Sequence, residues 1–173
     1  MKLLTQKVAP DFKVDDYRGS KVHLSDYKNK KVLLSFFRTA SCPFCNMRVQ
    51  ELIHKEQQFK DSGIEVIAFF SSNADEIKSY AGQQNPWFPM VADPEKKIYT
   101  LYDVEASKSG MLKTMLKPLK MMKMMTSGFF NLKSMKAAPI IPADFLLSPG
   151  LKIEKTYYGK DFGDHIDLKD ILN

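Results

Sequence analysis

The sequence predicts an α/β fold with a central mixed β-sheet flanked by helices. Two apolar runs, residues 31–37 and 64–70, have the length and content of buried strands and enclose a helical pattern. A strand-helix-strand start implies parallel neighbours. Two later runs, 143–147 and 152–158, stand either side of Ser148-Pro149-Gly150, where a hairpin turn fits, and imply an antiparallel edge.

In chain order, the helix after the first strand is expected over 46–59. Val49, Leu52, Ile53 and Phe59 recur there at helical spacing, and Gly63 follows as a stop. Asn73 or Asp75 is placed to cap a helix running to about Gly82. Asp93-Pro94-Glu95 reads as a third start, with Pro94 at the first helical position, leading into Ile98, Leu101 and Tyr102. A last short helix is expected over 164–172. No repeat and no linker divides the chain, so residues 1–173 read as one domain with an insertion at about 105–138.

Composition narrows the function classes. Apolar residues make up 44% and charged residues 27%, the balance of a globular protein with a full core. The first residues lack the apolar run of a signal peptide, and no stretch approaches the ~20 apolar residues that span a bilayer, so a cytoplasmic location is expected. The net charge of +6 is local: residues 106–138 hold Lys108, Lys113, Lys117, Lys120, Lys123, Lys133 and Lys136 and no acid. With that segment set aside the chain is near neutral, which argues against a nucleic-acid-binding domain.

The two cysteines, Cys42 and Cys45, cannot form a multi-bridge framework or complete a four-thiolate zinc site. A redox pair uses both. They sit in Thr39-Ala40-Ser41-Cys42-Pro43-Phe44-Cys45, between a buried strand and a helix. A helix N-terminus offers unpaired N–H groups and a positive dipole end, both of which favour a thiolate. Cys42, nearer the helix start, is expected to attack, and Cys45 to resolve the mixed disulfide. The plain alternative is a pair of inert buried thiols. Arg38 and Arg48 flank the pair, and a guanidinium close to Cys42 would favour its thiolate; solubility is the alternative role. Arg38 is preferred because it adjoins Thr39.

His23, His54 and His165 have no evident catalytic partner in sequence and read as structural, with His165 a cap for the last helix. Trp87 reads as core. Glu51 and Glu56 are proton acceptors that nothing singles out.

In residues 108–125, Leu112, Met115, Leu116, Leu119 and Met122 follow helical spacing, with lysines one residue on. This is a basic amphipathic helix, kinked or broken near Pro118. Three roles compete. The stripe packs on the domain as a cover beside the cysteines, which is preferred because Pro139-Ile140-Ile141 returns the chain there. Alternatively it meets an anionic membrane surface or a protein partner, or its thioethers bind copper(I).

Ala9-Pro10-Asp11-Phe12, the run from Gly19 to Tyr27, Phe88-Pro89-Met90-Val91-Ala92-Asp93-Pro94 with Tyr102 and Val104, Ile141-Pro142-Ala143-Asp144-Phe145-Leu146-Leu147 and Tyr158-Gly159 together resemble peroxiredoxins of the AhpC/TSA type. The similarity covers about residues 8–104 and 139–173. It is closest to the peroxiredoxin-like branch that carries Cys-x-x-Cys after an arginine, here Arg38. The resemblance implies a thioredoxin-like fold and antioxidant thiol chemistry without a metal or organic cofactor. It implies a peroxide or protein-disulfide substrate and a thioredoxin- or glutathione-type reductant.

Thr39 matches the family threonine three residues before the reactive cysteine. Ser35 stands where the family has proline, and Pro142 where it has a peroxide-binding arginine. Proline there is the thioredoxin pattern, in which the X–Pro bond, usually cis, faces the cysteines; a cis Ile141–Pro142 bond is therefore expected. The Pro-Phe between the cysteines also resembles the Pro-Tyr of glutaredoxins. The site residues implied are Cys42, Cys45, Thr39, Arg38 and Pro142. A second hypothesis is a copper(I)-binding protein of this fold using the cysteines, His165 and the methionines. Such proteins space their cysteines one residue wider and work outside the cytoplasm, and metal analysis of the reduced protein separates the two.

Overall fold

The computed structural model describes residues 2–130, 134 and 137–172. A hairpin of β1 (Lys13–Asp15) and β2 (Lys21–His23) precedes the main sheet. That sheet comprises β3 (Lys31–Phe36), β4 (Ile64–Phe70), β5 (Met90–Ala92), β6 (Ala143–Ser148) and β7 (Lys152–Tyr158), in the order β5-β4-β3-β6-β7. The β3–β4 and β4–β5 pairs are parallel, and β3–β6 and β6–β7 antiparallel. The mixed sheet is the one the sequence predicts with β5 added, and the β1–β2 hairpin is a separate sheet. Three-residue strands carry too little apolar pattern to stand out in sequence.

Alternation along β3 divides the core. Val32, Leu34 and Phe36 face one layer with Phe69, Phe145, Tyr99 and Tyr102. Leu33 and Phe37 face the other, with Val66, Ala68, Phe70, Val49 and Leu52. Phe36 is wholly buried, stacked on Phe69 at 4.6 Å and edge-on to Tyr99 at 5.2 Å and Phe145 at 5.7 Å. The Tyr99 hydroxyl reaches Phe37 O (2.5 Å) and Phe69 O (2.8 Å), which ties the ends of β3 and β4 where the cysteine loop begins.

Several helix boundaries differ from expectation. The helix expected over 46–59 is two: α1 (Pro43–His54) and α2 (Glu56–Asp61), divided at Lys55. It starts ahead of the apolar period, with Pro43 in the first turn as the cysteine motif allows, since no N–H is needed there. Asn73 caps α3 (Ala74–Ser79), its side chain accepting from Glu76 N, and a 3-10 turn at Ala81–Gln84 completes that stretch. Pro94 does not start a helix. Instead α4 (Lys97–Leu101) begins later, and the Asp93 carboxylate reaches across the turn to accept from the N–H groups of Lys97, Ile98 and Tyr99. The terminal helix α7 is confined to Lys169–Leu172.

Between α4 and β6 lie α5 (Lys108–Met115) and α6 (Pro118–Thr126), so the break near Pro118 is present. Lys133 and Lys136 lie outside the described residues. The expected packing of the stripe is reversed. Leu112, Met115, Leu116, Leu119 and Met122 are 58–72% exposed. Among the described side chains the inward face is small and polar, with Met121 and Met124 at its end. Gly110 lies so close to Ile141 that a Cβ would stand 2.3 Å from Ile141 Cδ1. The buried Thr114 hydroxyl accepts from Phe162 N at 2.8 Å. Lys117 and Lys120 reach the buried Asp161 carboxylate. A larger apolar face could not approach this closely or satisfy that carboxylate. Among the described residues no helix is long and apolar enough to cross a membrane.

Candidate active site

Cys42 is the N-cap of α1, with extended backbone angles, Pro43 at the first position and Cys45 one turn on. The loop from Phe37 to Cys42 leaves the buried end of β3 and is held from several sides. Asn46 donates through Nδ2 to Ala40 O (2.7 Å) and Cys42 O (2.9 Å), and Gln84 Nε2 holds Asn46 in turn. Ser72 Oγ accepts from Ala40 N at 2.9 Å and meets Thr39 Oγ1 at 2.8 Å. Thr39 donates to Glu76 Oε1 at 2.8 Å.

Both cysteines are free thiols and buried, Cys42 to 1% exposure and Cys45 to 2%. Their environments separate their acidities. A hydrogen bond from the Cys45 thiol is the largest influence on Cys42. It acts with the N–H groups of Cys45 and Phe44 and with the positive Arg38, against burial, and lowers Cys42 to about 6. Cys42 is thus an N-cap that makes no capping hydrogen bond through its side chain, at the end of the helix where a negative charge is favoured. Cys45 is pushed well up, first by burial and then by its neighbour Cys42. The arrangement favours the thiolate on Cys42 and the protonated thiol on Cys45.

Arg38 is 4% exposed. Its Nε donates to Ala138 O (2.9 Å), its Nη2 to Ser134 O and Ala137 O (2.7 Å each), and its guanidinium lies 4.4 Å from the Phe162 ring centre. It therefore fastens the chain returning from α6 over the cysteines while supporting the Cys42 thiolate. An apolar cleft of about 280 Å³ reaches Cys42, lined by Arg38, Phe44, Met121, Met124 and Phe162, with Met115, Met125 and Phe130 at its exposed mouth. Gly163 closes one side against Phe44; its positive φ of 73° is one that glycine adopts without strain.

Not every expected site residue comes to this cleft. Pro142 lines a separate depression with Ile141 and Gly159. The expected cis bond is absent, since no described peptide bond is cis. The segment instead runs extended into β6, drawn by the Ala106–Ile140 bridge and by the Ser107 N bond to Pro139 O. Arg48 turns away, bonding Glu51 and Ile166 O. Glu51 and Glu56 are held in ion pairs with Arg48 and Lys60. His54 is exposed, and Trp87 packs between Phe59 and Phe88, as core.

His165 is not a helix cap. Its side chain is buried, with Nδ1 3.0 Å from Asp144 Oδ2, and Ser35 Oγ donates to Asp144 Oδ1 at 2.5 Å. Burial pushes the Asp144 carboxyl up, but His165, Arg48 and Ser35 outweigh it and hold the group low. Sequence reasoning missed Asn46, Ser72, Glu76 and Asp161. Asn46 alone had a signal, a polar residue one turn inside the helix beside Cys45.

The AhpC/TSA family model matches residues 5–155. The chain belongs to the AhpC/TSA family. It is a peroxiredoxin-like thiol oxidoreductase with a thioredoxin-like fold. Among relatives of this AhpC/TSA chain, thiol-disulfide oxidoreductase ResA of Bacillus anthracis is 33% identical over 60% of this chain and 60% of its own length. Peroxiredoxin Bcp of Escherichia coli K12 is 25% identical over 62% of this chain and 69% of its own. In structure, peroxidoxin BcpB from Mycobacterium tuberculosis matches with a TM-score of 0.72 at 15% identity, over 97% of this chain and 93% of that one.

Proposed function

We propose that this protein reduces organic hydroperoxides, with Cys42 as nucleophile and Cys45 as resolving thiol. The observation that carries the reading is the placement of an acidic Cys42, 1% exposed, at the base of an apolar cleft. A hydroperoxide group on an apolar tail suits such a cleft. A protein disulfide needs an exposed attacking sulfur.

The Cys42 thiolate attacks the terminal peroxide oxygen. The S–O bond forms, the O–O bond breaks, and the departing alkoxide takes a proton to leave as an alcohol. Sulfur is oxidised to the sulfenic acid and the peroxide is reduced. Cys45 then gives up its proton and attacks the Cys42 sulfur. The S–S bond forms, the S–O bond breaks, and hydroxide leaves with that proton as water. A dithiol of thioredoxin type, or a pair of glutathione-type thiols, reopens the disulfide and is itself oxidised. That step supports a compartment with a reducing thiol pool, and we place the protein in the cytoplasm on this ground.

In this reading Arg38 sustains the thiolate. Its Nη1, which makes none of its carbonyl bonds among the described residues, is the group we assign to the peroxide. Thr39 is a positioning residue held by Glu76, and Pro142 sets the entry of β6 without touching substrate. Residues 1–173 act as one domain, with 105–138 as its cover.

The likeness to the ResA protein favours a second reading, disulfide reduction. Hydroperoxide consumption measured beside insulin-disulfide reduction, with the same reductant, tests the choice. Turnover of cumene hydroperoxide well above insulin reduction is expected, and the reverse order overturns the proposal. The methionines around Cys42 keep the copper(I) alternative concrete: a reduced protein that holds one copper(I) per chain and turns over neither substrate is a binding protein.

A further inference from the structure

Ten large apolar residues are strongly exposed among the described residues, and seven of them fall between 112 and 130. Such a concentration is a patch rather than the usual scatter of single side chains. Amphipathic surface helices turn their apolar side to the core; α5 and α6 turn theirs to solvent. Between Leu112 and Met125 the exposed side chains are leucine, methionine, lysine and proline only. Nothing there accepts a hydrogen bond in the way a polar protein epitope requires. Lys113 and Lys123 are exposed and pair with no carboxylate among the described residues, and no acid occurs from 106 to 138.

We infer that this face is a docking surface for an anionic lipid bilayer. Its lysines match lipid phosphates and its flexible leucines and methionines enter the acyl boundary. A second copy of the chain fits poorly, because it would bring the same uncompensated lysines against these. Met115, Met125 and Phe130 belong both to this face and to the mouth of the Cys42 cleft. Docking therefore turns the cleft mouth toward the bilayer. That consequence rests on the peroxide reading and would present the cleft to lipid hydroperoxides; the docking itself does not rest on it.

The test is flotation of the full chain with vesicles of phosphatidylcholine alone or mixed with phosphatidylglycerol, with and without added salt. Binding should be about tenfold stronger on the anionic vesicles. It should fall as salt shortens the screening length from ~10 Å at 0.1 M to ~3 Å at 1 M. The double variants Leu116→Ser/Leu119→Ser and Lys113→Glu/Lys123→Glu should each lose most of this binding. Both should keep the wild-type melting temperature and turnover of soluble cumene hydroperoxide. Three results overturn the inference: equal or absent binding on both vesicle types, variants that bind as the wild type does, or a dimer in lipid-free solution that Leu116→Ser/Leu119→Ser dissociates. Capture by an acidic polypeptide that lipid cannot displace would assign the face to a protein instead. Loss of hydroperoxide turnover with vesicle binding intact would refute the peroxide reading and leave the docking standing.

Discussion

On β3, Val32, Leu33, Leu34 and Phe36 are all fully buried, whereas on α5 and α6 Leu112, Leu116, Leu119 and Met125 stand 58–72% exposed. The strand is held by apolar contact on both faces. The helices are held by a close glycine, a buried threonine hydroxyl and the Asp161 carboxylate, and among the described side chains Met121 and Met124 turn to the core. Apolar burial is strong and insensitive to pH, and it suits the sheet that positions Cys42. Charge-assisted contacts are fewer and titratable, and they suit a cover that controls access to it.

The two regions should respond differently to substitution. The largest expected effect is on chemistry: Cys42→Ser should lower hydroperoxide turnover by about a thousandfold or more, since it removes the nucleophile. Residual turnover near wild type in a coupled peroxidase assay would move the reaction to another group. Next comes the sheet. Phe36→Ala should destabilise by about 3–5 kcal/mol in denaturant unfolding, as large buried aromatics do.

The cover should be less costly to disturb. Asp161→Asn should cost about 1–2 kcal/mol, because its lysine partners stand partly in water. Burial pushes the Asp161 carboxyl up, but Lys117 and Lys120 prevail and hold it below its ordinary value. Its contribution is therefore complete above the unfolded carboxyl value of ~3.9 and is lost as pH falls through the lower folded value. Protease cleavage within 108–126 that quickens over that acid range, and does so at neutral pH in Asp161→Asn, is the expected record.

Arg38 joins the two regions, so Arg38→Ala should act on both. In Cys45→Ser, where a hydroxyl replaces the thiol as donor to Cys42, the alkylation rate of Cys42 should still titrate below the free-thiol value of ~8.5. Adding Arg38→Ala should raise that midpoint and loosen Ser134, Ala137 and Ala138, whose carbonyls it holds. An unchanged midpoint would reduce Arg38 to a fastener of the cover. The smallest effect is expected at Leu119→Ser, within about 0.5 kcal/mol in the lipid-free protein, since its side chain is already in solvent.

Much of this was legible beforehand. The long strands stood out because continuous apolar runs of their length need burial on both faces. The cysteine pair stood out because Cys-Pro-Phe-Cys follows a buried strand and begins a helix. The apolar period alone begins at Asn46, but the helix start was legible at Pro43, whose missing N–H is no loss in a first turn, and α1 begins there. Pro142 and Arg48 were adjacent to the site only in sequence or by family pattern. Ser72, Glu76 and Asp161 carried no local signal, because each acts on a group 33 or more residues away.

The sequence by itself determined the α/β class, the parallel core with its antiparallel edge, the cysteine pair at a helix start and the break near Pro118. These follow from local periodicity and from residue chemistry within one or two turns. Only the tertiary structure decided which side of the Met/Lys helices faces in. Periodicity shows that a helix has two faces, but the choice between them depends on what the domain offers. Here that was Asp161, Phe162 N and Ile141, a surface that accepts lysines, a hydroxyl and a glycine. The methionine and leucine stripe was left facing water above the Cys42 cleft.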